Sequence, residues 1–198
     1  MPHGDVLIHA GDACNSGSPV DFIKFADWFR YLPHRYKIFV PGNHDKICQA
    51  EPSYCKDVIG HDAGEVFYLS DGIVTFAGVS VYGTPWQPEF CNWAFNLTEE
   101  ALAEKFALIP SNLDILISHG PPYGVGDKTD YSVARSGNLG SKSLNDRLRS
   151  LTHPPRFHVF GHIHGGYGIH VAGNTVSINA AICNERYEPV NAPVVFFT

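Results

Sequence analysis

The chain has 198 residues, a formal net charge of −6 and a hydrophobic content of 44%. At this length we expect one compact domain over residues 1–198, which buries roughly 70% of the surface that the unfolded chain exposes. Charged residues make up 17% of the sequence, so the composition excludes a largely disordered chain. The sequence shows no basic cluster for duplex nucleic acid and no apolar run long enough to span a membrane.

The five cysteines are scattered along the chain and have no C-x-x-C spacing. An odd number of separated cysteines argues against a disulfide framework or a zinc–thiolate site. The N-terminal sequence lacks the charged and apolar regions of a secretion signal. We therefore expect reduced cysteines and a soluble, cytoplasmic protein.

Short apolar runs alternate with helical patterns along the chain. A buried strand over 6–10 precedes a helix that begins after the capping pair Ser18-Pro19 and ends near Leu32-Pro33, and a strand over 36–40 follows. Further helices are predicted over 51–59, 98–108 and 142–151. Further strands are predicted over 73–76, 79–82, 113–118, 157–160, 166–171, 175–179 and 194–197, with the first two forming a hairpin. This order predicts an α/β protein whose sheets are covered by helices.

Four polar clusters come directly after predicted strands. They are Gly11-Asp12, Gly42-Asn43-His44-Asp45, Ser118-His119-Gly120 and Gly161-His162-Ile163-His164. Because the carboxyl ends of strands line one crevice in open α/β sheets, these distant residues can converge. Carboxylate, amide oxygen and imidazole donors suit Mn²⁺, Fe²⁺ or Zn²⁺ better than Ca²⁺. Gly-Asp or Ser-His-Gly alone is more often a turn, but the four clusters in this order predict a metal centre.

The order of these clusters resembles the calcineurin-like metallophosphoesterases over nearly the whole chain. The segments 82–86 (Tyr-Gly-Thr-Pro-Trp), 118–122 (Ser-His-Gly-Pro-Pro) and 159–168 are similar to the brain metallophosphodiesterase subgroup. That subgroup is related to the class III cyclic nucleotide phosphodiesterases. The resemblance implies a four-layer α/β/β/α sandwich of two mixed β-sheets flanked by helices.

The resemblance also implies a set of metal ligands. Asp12 would bridge two metal ions, and Asn43, His119 and His162 would complete the second metal site. His164 would belong to the first site. Mn²⁺ is the metal we expect, with Fe²⁺ and Zn²⁺ as alternatives.

The same resemblance assigns catalytic roles to His44 and Asp45. His44 would not bind metal but would donate a proton to the leaving oxygen, and Asp45 would help to hold its imidazole. A metal-activated hydroxide would attack phosphorus in line with the departing alkoxide. General acid catalysis of this kind typically contributes about 10² to 10⁴-fold in rate.

The first motif of the family, Asp-x-His, is absent from the sequence. Asp5 lies seven residues before Asp12, which is roughly 23 Å along an extended strand, and His9 in an apolar strand is more often a core residue. The first metal site retains only Asp12 and His164, so we expect it to bind metal more weakly than the second. The fold would also lack its usual first strand, leaving a sheet edge that a homo-oligomer could cover, unless Met1 marks a misassigned or truncated start.

Aromatic and basic residues near the clusters are candidates for substrate contact. Trp86, Phe90 and Trp93 could stack on a nucleobase or an aryl group, or could instead cover an edge of the core. Tyr123 closely follows His119 and could contact the cleft. Four basic residues could supply charge for a phosphate, although isolated basic side chains are more often solvated; they are Lys128, Arg135, Lys142 and Arg147.

These observations lead to a hypothesis of metal-dependent phosphodiester hydrolysis. The expected substrate is a cyclic nucleotide or a small aryl phosphodiester, and no membrane or duplex nucleic acid partner is expected. The alternative is a metal- or nucleotide-binding protein with weak or no turnover because the Asp-x-His motif is missing. A third hypothesis is a fragment whose activity exists only in a longer parent chain.

Overall fold

The computed structural model describes residues 1–60, 65–129 and 137–198. Its helices are α1 (Pro19–Tyr31), α2 (Lys46–Ala50), α3 (Pro52–Gly60), α4 (Glu99–Ala107) and α5 (Lys142–Ser150), with a 3₁₀ turn at His164–Gly166. Its strands are β1 (Val6–His9), β2 (Tyr36–Phe39), β3 (Val66–Tyr68), β4 (Gly72–Phe76), β5 (Val79–Thr84), β6 (Gln87–Pro88), β7 (Asn96–Leu97), β8 (Ile115–Ser118), β9 (Lys128–Thr129), β10 (Gly137–Asn138), β11 (Phe157–Phe160), β12 (Gly168–Ala172) and β13 (Thr175–Asn179). In the described part of the chain, no helix combines the length and apolar character that crossing a bilayer requires.

Two larger sheets form the centre of the fold. The smaller has the order β1-β2-β3 and the larger has the order β12-β13-β11-β8-β5-β4. The larger sheet is mixed, because β13, β11, β8 and β5 run parallel while β12 and β4 pair antiparallel at its edges. The smaller sheet is parallel throughout in the described residues. The helical crossovers between its strands return the chain to the same end of the sheet each time, and this makes the strands parallel.

Three buried layers of side chains separate the two sheets and their helices. Phe22 and Phe29 of α1 pack with Phe39 on the outer face of the smaller sheet. Ile38, its neighbour in β2, points the other way and packs with Ile117 between the two sheets. A third cluster joins the outer face of the larger sheet to α4 and α5, and it includes Leu102, Phe106, Leu116 and Leu144. The alternation of neighbouring strand residues between clusters follows the two-residue period of a strand. The α/β class with helix-flanked sheets is therefore confirmed, in the order helix, sheet, sheet, helix.

The first helix begins and ends at the residues that the sequence predicts. The hydroxyl of Ser18 accepts a hydrogen bond from the Asp21 N–H (3.1 Å), and Pro19 occupies the first turn, where its missing N–H costs nothing. The helix ends at Tyr31 because Leu32 precedes Pro33 and adopts an extended conformation.

Other predicted elements differ in detail from the structure. The helix predicted over 51–59 is α3, but the shorter α2 comes directly before it. The hairpin of β4 and β5 is confirmed. No strand forms over 194–197, although Val194 and Phe196 pack against the core between the sheets. The four consecutive apolar residues over 194–197 therefore belong to a segment that buries alternate side chains without pairing as a strand.

Candidate metal centre

The two sheets bring four strand ends to one place. β1 and β2 are parallel neighbours, so the segments containing Asp12 and Asn43 leave the smaller sheet at the same edge. β8 and β11 are parallel neighbours in the larger sheet, and they are followed by His119 and His162. The two edges meet where Nδ1 of His119 lies 2.8 Å from the carbonyl oxygen of Ala10. The convergence predicted from the strand ends is therefore present in the structure.

The atoms that face each other at this place are acceptors. Asp12, His119 and His162 each offer a ligand atom, and these atoms all lie within 4.8 Å of one another. Nε2 of His119 is 3.4 Å from Oδ1 of Asp12 and 2.9 Å from Oδ1 of Asn43. Because the Ala10 carbonyl only accepts, Nδ1 of His119 carries the proton, and Nε2 of the neutral ring presents a lone pair. A cation between these lone pairs would satisfy all three groups, so the residues fit a divalent metal ion.

The pKa values reflect the same clustering of charge. Burial lowers the pKa of His162 to about 3, with a further contribution from His119, so this ring is in the neutral form that binds metal. Burial also opposes protonation of His119, but the neighbouring Asp12 carboxylate outweighs it and raises the pKa of His119. Burial likewise raises the pKa of Asp12, but His119, His162 and the His44 amide together hold it below its usual value. Binding of a metal ion at Nε2 requires the neutral form of His119, so the ion must displace the proton that Asp12 favours there.

Two glycines leave the space that these ligands occupy. A Cβ atom at Gly42 would lie 2.4 Å from Oδ1 of Asp12 and 2.5 Å from Cε1 of His119. A Cβ atom at Gly11 would lie 2.4 Å from Nδ1 of His119, and Gly11 also has φ of +99°. Asp12 and His162 themselves have φ of +60° and +64°, a left-handed conformation that non-glycine residues rarely adopt. Strained ligands next to tightly packed glycines are typical of a functional site.

His164 lies beside this group with its ring held from the opposite side. Its Nδ1 is 2.8 Å from the carbonyl oxygen of Asn184, and its ring meets Tyr187 edge-on at 5.2 Å. The carbonyl again fixes the proton on Nδ1, which leaves Nε2 available as a ligand. His164 also lines a cavity of about 400 Å³ together with Arg186. It does not belong to the close group of Asp12, His119 and His162.

His44 and Asp45 have different hydrogen-bond partners in the structure. Asp45 is completely buried and accepts four backbone N–H bonds, from Gly42 (2.8 Å), Asp12 (2.9 Å), Cys14 (2.9 Å) and Ala13 (3.3 Å). Its carboxylate therefore joins the two loops that carry Asp12 and Asn43. This differs from the predicted role of Asp45 in holding the His44 imidazole.

The ring of His44 has other partners. Its Nδ1 lies 2.6 Å from the carbonyl oxygen of Asn15, and its backbone N–H donates to Oδ1 of Asp12 (2.9 Å). His44 therefore lies next to Asp12, but it does not belong to the close group of possible metal ligands.

Trp86, Tyr123 and Trp93 have three different environments. The indole N–H of Trp86 donates to Asp71 (2.8 Å), and Lys105 lies over its ring, so Trp86 covers an edge of the core. Tyr123 is 41% exposed, and Lys142 is its cationic neighbour. Trp93 packs against His44 with ring centroids 4.1 Å apart. The structure thus brings only Trp93 of the three into ring contact with a predicted site residue.

His9 and Arg147 have other partners than the acceptor group. The ring of His9 packs against Phe25 and Phe39 at 4.9 and 5.7 Å, and burial lowers its pKa to about 4. Arg147 donates to the carbonyl of Ile109 (2.5 Å) on the helical side of the larger sheet. Arg135 lies outside the described residues.

Sequence reasoning missed the groups that orient the ligands. The side-chain amide of Asn179 is fully buried and donates to the carbonyls of Gly126 and Ile163, which anchors the turn between His162 and His164. Only its polar character within an apolar strand could have indicated this role. Asn15 and Asn184 act through backbone carbonyls, which carry no signal in the residue type.

The fold and the site define an α/β protein with a histidine-rich centre for metal between two sheets. Residues 2–166 match the family model of the calcineurin-like phosphoesterases. The chain therefore belongs to the calcineurin-like phosphoesterase family, whose members use divalent metal ions. That membership confirms the broader resemblance on which the metal ligands were predicted.

Individual relatives agree with this assignment. The human metallophosphoesterase domain-containing protein 1 is 42% identical over 98% of this chain, and the chain spans 65% of the length of that protein. The UPF0046 protein K07C11.7 of Caenorhabditis elegans is 34% identical, with all of this chain and 69% of that protein covered. Among solved structures, the crystal structure of TT1561 from Thermus thermophilus has a TM-score of 0.64 at 14% identity, covering 89% of this chain and 76% of that chain. The last likeness shows the fold alone.

Proposed function

We propose that this chain is a metal-dependent phosphodiesterase that acts on cyclic nucleotides or small aryl phosphodiesters. The observation that carries the proposal is the meeting of three lone pairs, on Asp12, Asn43 and His119, next to His44. Family membership supports phosphoester hydrolysis. The similarity of segments 82–86, 118–122 and 159–168 to the brain metallophosphodiesterase subgroup supports a diester as the substrate.

The residues present would hold the metal and handle the leaving group. Asp12, Asn43, His119 and His162 would bind one divalent ion. A bound divalent ion supplies Lewis acidity toward the phosphoryl oxygens and lowers the pKa of water. The Ala10 carbonyl keeps Nε2 of His119 directed at the site. His44 donates a proton to the leaving oxygen, because its Nδ1 is held by the Asn15 carbonyl and only Nε2 is free to exchange a proton.

Mn²⁺-dependent hydrolysis of bis(p-nitrophenyl) phosphate, compared with p-nitrophenyl phosphate, tests the proposal. We expect the diester to be the better substrate. Asn43→Ala and His119→Ala should remove both turnover and bound Mn²⁺, whereas Asn174→Ala, in an exposed position between β12 and β13, should change neither. Absence of diester hydrolysis by the Mn²⁺-loaded wild type would refute the proposal.

A protein that binds metal and nucleotide with weak or no turnover is the second candidate. It is favoured by the position of His164 outside the close group of Asp12, His119 and His162. Tight binding of one Mn²⁺ and of adenosine monophosphate in calorimetry, without hydrolysis of any diester, would select this candidate.

Unequal metal sites are part of the proposal. We expect Mn²⁺ as the metal, with the second site stronger than the first. Anomalous diffraction at the manganese edge should show one full site and one weak site. Two fully occupied ions would contradict this expectation.

The cellular setting is also proposed. All five cysteines are free thiols, which agrees with a reducing, cytoplasmic compartment. In the described part of the chain β1 lies at an edge of the smaller sheet, and such an edge is commonly covered by another chain, so a homo-oligomer is proposed. Light scattering of the purified chain tests the oligomeric state.

A further inference from the structure

The indole of Trp93 lies directly against the imidazole of His44. The ring centroids are 4.1 Å apart and the ring planes make an angle of 31°. The ammonium group of Lys46 also lies over the indole, 4.6 Å from its centroid. The indole thus already has two side-chain neighbours, and it is not an open surface on which a substrate base could stack.

The segment that carries Trp93 is fastened to the segment that carries His44. The Ala94 N–H donates to the carbonyl of Asn43 (3.1 Å), and the Phe95 N–H donates to the side chain of Gln49 (2.8 Å). Ala94 and Phe95 are both buried. A residue flanked by such anchors has few conformations to lose, so its ring can hold a neighbour in place at low entropic cost.

The imidazole of His44 is held at two places. Nδ1 is 2.6 Å from the Asn15 carbonyl, which fixes the edge of the ring, and Trp93 packs against its face. With Nδ1 committed, Nε2 is the nitrogen that can give a proton to a leaving group. The carbonyl contact restrains one edge of the ring, and packing against the indole adds a second restraint on its face.

We propose that Trp93 is a positioning residue that holds the His44 imidazole for proton transfer to the leaving oxygen. This inference rests on the proposed function. In the step concerned, a water oxygen bonds to phosphorus and the bond from phosphorus to the leaving oxygen breaks. The leaving oxygen keeps the electron pair and takes the proton from Nε2 of His44, while the water proton passes to solvent and His44 is reprotonated from solvent. Trp93 touches neither water nor phosphorus in this step.

A comparison of leaving groups tests this role. Bis(p-nitrophenyl) phosphate releases a stable anion that needs little protonation, whereas diphenyl phosphate releases a more basic phenolate of similar shape. Because general acid catalysis contributes about 10² to 10⁴-fold, Trp93→Leu should lower kcat for diphenyl phosphate by about tenfold or more. For the p-nitrophenyl ester we expect a change below about threefold, with KM unchanged for both esters.

Matched variants separate positioning from other effects. Trp93→Phe keeps a ring over His44 and should restore most of the loss. Trp28→Leu, at a half-exposed position on α1, is the control and should change neither substrate. In a His44→Asn background, Trp93→Leu should add no further loss, because the group that it positions is gone. Equal losses for both esters, a raised KM, or additive losses in the double variant would overturn the proposal.

A spectroscopic measurement tests the contact without turnover. The ring-proton resonances of His44, assigned by their loss in His44→Asn, should be shielded by the indole and should move downfield in Trp93→Leu. Mn²⁺ affinity should stay at the wild-type value in Trp93→Leu. If the wild type hydrolyses neither ester, the proposed function fails and the positioning role fails with it. If the wild type is active but the resonances do not move, only the positioning role fails.

Discussion

Substitution of Gly42 by alanine should weaken metal binding through a single added carbon. The new Cβ would lie 2.4 Å from Oδ1 of Asp12, 2.5 Å from the Asp12 nitrogen and 2.5 Å from Cε1 of His119. Real Cβ atoms do not approach other heavy atoms this closely, so Asp12 and His119 must move. Both are candidate ligands, and the structure offers no flexible side-chain end that could yield in their place.

The magnitude follows from the cost of overpacking. Adding a methyl group to a well-packed site costs about 1 to 3 kcal/mol, partly relieved when the neighbours shift. A metal ion would pull the two ligands back against the methyl group and restore that strain, so it should bind more weakly by a similar free energy. Because each 1.4 kcal/mol corresponds to tenfold, this is roughly 5 to 150-fold in the dissociation constant.

Calorimetric titration with Mn²⁺ measures this effect, and thermal unfolding without metal measures the strain. For a chain of this size, 1 to 3 kcal/mol corresponds to about 2 to 12 °C in Tm. Gly72→Ala in β4 is the matched control, since its Cβ would meet nothing closer than 3.8 Å. A Mn²⁺ affinity of Gly42→Ala equal to that of Gly72→Ala would refute the reasoning, since it would mean that Asp12 and His119 are not ligands.

Three further predictions concern residues around the site. Trp86→Phe should cost about 1 to 2 kcal/mol in urea unfolding, because the hydrogen bond to Asp71 (2.8 Å) is lost, and should leave KM unchanged; a higher KM would show substrate contact instead. Burial lowers the pKa of His158 to about 3, so its folded imidazole stays neutral while the unfolded one binds a proton below its ordinary pKa of about 6.5. The metal-free protein should therefore lose about 2 kcal/mol of stability from this group between pH 7 and pH 5, and His158→Leu should show that much less pH dependence in urea unfolding. In titrations with Mn²⁺, His162→Ala should remove the tighter site and His164→Ala only the weaker one; the reverse order would contradict the ligand assignment.

The convergence of the four polar clusters was predictable from residue type and strand order, whereas the individual ligand roles were implied by the resemblance. Asp12, Asn43, His119 and His162 each follow a strand, and parallel neighbours must deliver them to one edge. The α/β class was predictable because short apolar strands alternate with helical patterns along the chain, whereas the four-layer arrangement was implied only by the resemblance to a family. The convergence and the α/β class rest on information that each segment carries in its own sequence.

The positioning contacts were not predictable in the same way. The Asn15 carbonyl that holds His44 belongs to the backbone, and every residue type has one. The position of Trp93 depends on the conformation of its loop. Phe95 in this loop has φ of +56°, a conformation that glycine favours and that a phenylalanine in the sequence does not predict. The resemblance gave Asp45 the role of holding the His44 imidazole, whereas in the structure its carboxylate accepts four backbone N–H bonds from two loops.

The spacing between the two sheets is itself part of the site. Asp12 and Asn43 come from the smaller sheet, whereas His119 and His162 come from the larger one, so the distances among the ligands change whenever the sheets move. A Cβ atom at Gly83 in β5 would lie 2.7 Å from Cγ2 of Val40, which follows β2, so the sheets approach each other here as closely as the absence of a side chain allows. The hydrogen bond from His119 to Ala10 spans the same gap beside the ligands. Protein interiors are close-packed and transmit strain. The packing between the two sheets therefore sets the distances among the acceptor atoms of Asp12, Asn43, His119 and His162, and these distances determine whether one metal ion can bind all four.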